Sequence, residues 1–188
     1  MFNGMFNGMF KDISTDKKEI YKITKPGDYL FYFENKIGNL TFDIKCEDAN
    51  VKIYGLYTGK NKDNFMLNIK QNHTVPNSAT TVLIKSVLDN TSRLNITSTI
   101  FIGEKGINTN ASFTNKNLLL SNKAQTIISP QLEVIPGDVQ CTHATSTSPL
   151  DTKQLQYLIA RGIDIVEARK LLIKGFINEV ACVANSSQ

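Results

Sequence analysis

The sequence predicts an all-β body followed by a C-terminal pair of α-helices. Three observations carry that prediction. From Asp28 to about Ile135 short apolar runs alternate with polar residues at period two, the pattern of half-buried strands. No stretch with helical period fits between those runs. After Leu150 the period changes to i, i+3, i+4 behind two capping sequences.

The strands read in order. Val51, Ile53 and Gly55 share one face. Phe65, Leu67 and Ile69 alternate with Met66, Asn68 and Lys70, and Leu94, Ile96, Ser98, Ile100 and Ile102 stand opposite Asn95, Thr97 and Thr99. Leu132 and Val134 flank an outward Glu133. Candidate strands recur roughly every 12 to 16 residues, a spacing that several all-β architectures share. Antiparallel sandwiches and barrels favour Asn-Gly or Asp-Gly hairpin turns, and none follows the first eight residues. The breaks at Lys60 to Asn64, Asp89 to Arg93 and Gly103 to Gly106 are longer and looser. A β-solenoid tolerates such corners, so periodicity alone leaves the two architectures level.

The helical part is more sharply marked. Asp151 is placed as an N-cap with Gln154 three residues on, and Leu155, Leu158 and Ile159 form the apolar stripe. Gly162 suits a left-handed C-terminal position, with Arg161 complementing the helix dipole. A second capping box at Asp164 and Glu167 opens a helix carrying Val166, Ala168, Leu171, Leu172, Phe176 and Val180. The segment from Cys182 onward reads as a fraying tail. Covering the open end of the β body is the expected use of the apolar helix faces.

Composition narrows the function classes. The 188 residues build one good core, and the net charge of +4 comes from scattered lysines without a basic stripe, which argues against a nucleic-acid binder. Three cysteines, Cys46, Cys141 and Cys182, are an odd number at wide spacing, which suits a reducing compartment. No apolar run is long enough to span a membrane. The repeated tetrapeptide over Met1 to Gly8 lacks a basic n-region and does not read as a signal peptide. The six Asn-x-Ser/Thr triplets, beginning at Asn39, Asn72, Asn90, Asn95, Asn110 and Asn185, follow from high Asn and Thr content. The Asn, Lys and Ile bias itself reads as a genome effect.

The chemistry-bearing motif is Cys141-Thr142-His143. In extended chain, residues i and i+2 project from one face, so a thiol and an imidazole could converge on one metal or partner. Both are reasonable iron ligands, but two do not complete a four-coordinate site, and no Cys-x-x-Cys accompanies them. His73 reads as the fixing residue of a corner. Cys46 and Cys182 have no partner at ligand spacing. Lys85 and Lys123 read as solvated lysines. No Gly-x-x-x-x-Gly-Lys-Ser/Thr loop is present, which leaves ATP hydrolysis to another chain.

Larger stretches carry a resemblance. Asn117 to Ala124, Pro130 to Val134, Asp138 to Thr145, Leu150-Asp151, Tyr157 to Ile163 and Glu167 to Phe176, with His73 to Ala79 and Lys85 to Leu88 upstream, resemble in matching order the SufB/SufD family of the SUF iron–sulfur cluster assembly system. The resemblance implies a right-handed parallel β-helix with a C-terminal helical segment, which decides between the β architectures. It divides the chain into an N-terminal extension (1–27), the β-helix (28–137), a Cys/His connector (138–149) and the helical segment (150–183). Members of the family are longer, with an N-terminal helical region.

The resemblance also implies partners. The helical segment would dock a SufC-like ABC ATPase through Tyr157, Arg161, Gly162, Glu167, Arg169 and Phe176, and the β-helix would pair with a SufB-like subunit or with a second copy. SufB-like chains carry a cysteine just upstream of the triplet matched by Leu118-Leu119-Leu120, near Asn115 here, and a glutamate where this chain has Ala144. The Cys-x-His arrangement is the SufD-like pattern. The expectation is therefore a non-enzymatic SufD-like subunit with no permanent cofactor. Cys141 and His143 would meet transient iron or a nascent cluster at an inter-subunit interface, in cytoplasm or plastid stroma, without nucleic acid or membrane. Two other readings stand beside it: a metal-dependent jelly-roll enzyme using His73, Cys141 and His143, and a degenerate structural β-solenoid.

Overall fold

The computed structural model describes residues 8–185. Residues 1–7, which hold most of the tetrapeptide repeat, and 186–188 lie outside them. Eleven strands and two helices follow in chain order: β1 (Met9–Asp12), β2 (Ile20–Ile23), β3 (Gly27–Glu34), β4 (Gly38–Ile44), β5 (Ala49–Gly59), β6 (Asn64–His73), β7 (Ala79–Leu88), β8 (Arg93–Ile102), β9 (Thr109–Leu119), β10 (Gln125–Val134), β11 (Val139–Pro149), α1 (Thr152–Ala160) and α2 (Ile165–Asn185).

Odd and even strands separate into two parallel sheets, β1-β3-β5-β7-β9-β11 and β10-β8-β6-β4-β2. Each strand pairs with the next but one in sequence, so the chain winds as a parallel β-solenoid. The winding is regular: Asn50 lies beside Ala79, and Ala79 beside Asn110. This parallel topology excludes the antiparallel jelly roll.

Two differences from the sequence reading concern segment limits. Within the supposed extension, β1 and β2 already pair in parallel with β3 and β4. The supposed connector is a strand: β11 pairs with β9 from Val139 to Pro149. Thr, Ser and Gln there conceal it, because an outermost strand has no neighbour whose burial would demand apolar residues.

Side chains of both inner faces stack in columns. One runs Phe31, Ile53, Val82, Phe113, His143, and another runs Tyr57, Ser86, Asn117, Thr147. At Gly55 an added Cβ would come within 2.5 Å of the Phe33 ring, so the ring occupies the space that a side chain would take. The first turns of the interior are aromatic: Tyr21, Phe31 and Phe42 meet with ring centres 5.0 to 5.5 Å apart.

The corners explain part of the asparagine bias. Asn35, Asn61 and Asn90 on one corner, and Asp48, Asn77 and Asn108 on another, all have positive φ, which Asn and Asp tolerate better than other non-glycine residues. They are joined turn to turn. Asn61 N–H donates to Asn90 Oδ1 at 3.1 Å, and Asn108 Nδ2 to Asn77 Oδ1 at 3.1 Å. A role in turning the solenoid thus adds to any genome effect.

The helices differ from expectation in place, not in kind. Asp151 caps α1 by accepting from the N–H groups of Lys153 and Gln154, and Asp164 Oδ1 accepts from Val166 N–H at 2.8 Å. Gly162 has φ +84°. The segment expected to fray from Cys182 continues α2 to Asn185. α2 does not cover the open end. It lies on the outer face of the odd-strand sheet, where Tyr32, Leu56, Leu83 and Val180 form a second core with Phe10, Tyr54, Ile177 and Val183. The sequence signal for this seat is that β3 and β7 are apolar on both faces, as in Leu30-Phe31-Tyr32-Phe33 and Val82-Leu83-Ile84, the mark of a strand covered twice. No helix among the described residues is long and apolar enough to cross a membrane.

Candidate functional site at the open end of the solenoid

The last turn consists of β10 and β11, each hydrogen-bonded on one edge only. Its inward side chains have no further turn above them. Leu132 is 54% exposed although its column, Phe42, Gln71, Ile100, is buried below it. Val134 and the adjoining Ile135 are also exposed. A free edge with an apolar inner face is a template for pairing.

Cys141 and His143 belong to this turn. In register with Ala111 and Phe113, they project toward the interior, as the i, i+2 spacing predicts. Cys141 packs against the main core. The His143 ring stacks on Phe113 with centres 4.5 Å apart and planes 26° apart. Burial raises the Cys141 thiol above its ordinary pKa and lowers that of His143, so a protonated thiol and a neutral imidazole face the open end. His143 Nε2 is buried with no hydrogen-bond partner, and Thr126 Oγ1 on β10 is in the same state. Gln71 Nε2 and Ser98 Oγ, in the closed turns below, are likewise buried without a partner, so what sets His143 apart is its place beside Cys141 in the last turn.

The polar interior continues one turn below. Asn115, fully buried, donates to the Ile84 carbonyl at 3.3 Å. It also accepts from Asn117 Nδ2 at 2.6 Å. Asn117 in turn accepts from Ser86 Oγ and donates to Thr147 Oγ1. Asn115 therefore sits in the lumen as a spent hydrogen-bonding group. Ala144 faces outward.

His73 is elsewhere and is used up. It lies on β6, two turns below the open end, about 10 Å along the axis at the usual strand spacing. Its Nδ1 meets Ser78 Oγ at 2.8 Å and its Nε2 meets Thr80 Oγ1 at 2.9 Å. Burial holds its pKa down to about 4. A neutral imidazole bonded at both nitrogens fixes a corner and offers no lone pair to a metal. No group of three His, Cys, Asp or Glu side chains converges as a metal site among the described residues. His73 therefore does not join Cys141 and His143, and the jelly-roll reading that used all three is overturned by the parallel topology and by the bonds His73 already makes.

The other singled-out residues separate clearly. α1 has no buried residue, and Tyr157 is 59% exposed with Arg161 stacked on its ring at 5.1 Å. Glu167 pairs with Lys170 at 2.7 Å. Tyr157, Ile159, Ile165, Val166 and Leu171 leave the hairpin with apolar surface uncovered. Ile159, Val166 and Leu171 belong to the apolar helix faces expected to be covered, and the structure leaves them exposed. Phe176 packs beside Lys85 on the solenoid side. Lys85, expected to be solvated, is buried, whereas Lys123 is exposed.

With this geometry in place, comparison with known proteins is decisive. Residues 31–176 match the family model described as SUF system FeS cluster assembly, SufBD core domain. The chain belongs to the SufBD family. It is 33% identical over 112 residues to an iron-sulfur cluster assembly SufBD family protein of Synechocystis, covering 60% of this chain and 24% of that protein. It is 32% identical over 98 residues to the iron-sulfur cluster assembly protein SufD of Escherichia coli, covering 52% and 23%. To SufB of Bacillus subtilis it is 26% identical over 108 residues, covering 57% and 23%. The chain spans about a quarter of the length of these relatives. Within the SufBD family its similarity is SufD-like, at 32% identity to SufD against 26% to SufB.

Proposed function

We propose that this SufBD-family chain is a non-catalytic SufD-like subunit in iron–sulfur cluster assembly, pairing with a SufB-like subunit through its open last turn. The observation that carries this reading is the joint placement of Cys141 and His143 at a free solenoid end, with His143 Nε2 buried and unpartnered. Iron or a nascent cluster is the cargo of this site. Cys141 would release its proton as the cation arrives, and His143 would bind through a nitrogen that is already neutral. The partner supplies the remaining ligands and covers Leu132 and Val134. A second copy of the chain is the competing occupant of the same edge.

The hairpin of α1 and α2 is the proposed seat of a SufC-like ATPase, through Tyr157, Arg161, Gly162, Glu167 and Arg169 with the uncovered apolar residues beside them. An apolar groove of about 430 Å³ between the helices, lined by Tyr157, Leu158 and Leu172, supports this. Co-expression with the two partners tests both contacts. Deleting 150–183 should abolish ATPase capture and leave SufB pairing; continued capture would end the docking claim. Cys141→Ala should leave the complex assembled and lower cluster yield in anaerobic reconstitution, and equal yields would remove Cys141 from any ligand role.

A further inference from the structure

α2 rests on an apolar seat, yet a charged residue stands within it. Lys85 points outward from β7 between Leu56 and Lys116 on the neighbouring strands, and its side chain is only 7% exposed. Its Nζ donates to the Phe176 carbonyl at 2.6 Å, pairs with Glu179 Oε2 at 2.8 Å and lies 5.0 Å from the centre of the Phe176 ring. Lys116 approaches the same Glu179 oxygen at 3.8 Å. Both cations depress the Glu179 pKa, with the Lys85 hydrogen bond as the larger cause.

Burying an ammonium group is costly, and an aliphatic residue would fill the seat more cheaply if packing were its only task. What the ammonium adds is direction. Ile177, Val180 and Val183 would keep most of their contacts if the helix slid or rolled slightly, because apolar contact is non-directional. A carbonyl and a carboxylate held at hydrogen-bond length admit only a narrow range of positions.

We infer that Lys85 is a positioning residue: through Phe176 and Glu179 it sets the register of α2 on the sheet, and so the place where the α1–α2 hairpin stands relative to the open last turn. Its consequence for ATPase docking rests on the reading proposed above. Slippage of α2 would displace Tyr157 and Arg161 without altering the docking surface itself.

The test uses the full chain with Lys85→Met, alone and with the ATPase. Hydrogen exchange is followed by mass spectrometry, and probes attached at Lys62 and Gln156 through unnatural amino acids report the distance from solenoid to hairpin. Amides over 176–183 should exchange about tenfold faster or more, with β5 and β7 unchanged. The distance distribution should broaden, and ATPase affinity should fall about tenfold. Glu179→Gln, at a 47% exposed position, should shift all three in the same direction by less. Unchanged exchange and distance overturn the inference, as does a loosened hairpin that binds the ATPase as tightly as the parent. If Lys85→Met loses strand protection as well, Glu179→Gln decides. A parent chain that binds no ATPase overturns the docking reading, and exchange and distance in the free chain still decide whether Lys85 sets the register.

Discussion

The first turns of this solenoid and the β9–β11 side of its last turns are filled differently. Near β2 to β5 the lumen holds Tyr21, Phe31, Phe33, Phe42 and Tyr57, all buried. Near β9 to β11 it holds Asn115, Asn117, Thr145, Thr147, Cys141 and His143, with two unpartnered polar atoms at the open end. The same strand geometry carries both. The difference leads us to expect that the aromatic first turns contribute more to stability than the last turn, whose inward groups have no turn above them.

The comparison is most directly broken by substitutions of similar size at the two ends. Phe33→Ala should cost about 3–5 kcal/mol in urea unfolding, since it empties a packed site that also fills the space over Gly55. Leu132→Ala should cost roughly 0.5 kcal/mol or less in the isolated chain, because the side chain is already exposed, while greatly weakening capture of a SufB-like partner. Equal costs at the two positions would refute the division.

Acid should strike the middle of the molecule next. His73 is neutral when folded with a pKa near 4, whereas an unfolded histidine titrates near 6.5. Protons therefore favour the unfolded chain. Stability should be full above about pH 6.5 and decline as pH falls toward 4, by on the order of 3 kcal/mol in all. His143, also lowered by burial, acts in the same direction. Urea midpoints across pH 4 to 8 measure the slope, and His73→Gln should flatten it; an unchanged slope would mean that carboxylates dominate.

A smaller effect than that of acid belongs to the corners. At Asn77 or Asn108 replacement by Gly should be nearly neutral, while Ala should cost about 1 kcal/mol, since positive φ strains an ordinary side chain. Thermal melting of the pair of variants distinguishes a backbone requirement from a hydrogen-bonding one.

Much of this was legible beforehand, for identifiable reasons. Alternation at Leu94 to Ile102 reports a half-buried strand because side chains alternate across any sheet. Asp151, Gly162 and Asp164 mark helix ends because orphan backbone groups there demand particular residues. The pairing of Cys141 with His143 on one face followed from the same two-residue period. β11 escaped notice because a last strand has no burial to advertise, and Lys85 did because nothing local marks a lysine that a distant helix will cover.

By itself, then, the sequence determined the local conformations, the face on which each side chain projects, and through its motif order the SufBD membership. Only the tertiary structure decided that α2 sits on the outer sheet and not over the open end, that His73 is spent on Ser78 and Thr80, and that His143 Nε2 is left without a partner. Conformation and facing depend on neighbours within a few residues, which a sequence displays. Burial, ion pairing and an unmet hydrogen bond depend on which turns stack and which are last, and that is settled only when residues some thirty positions apart come side by side.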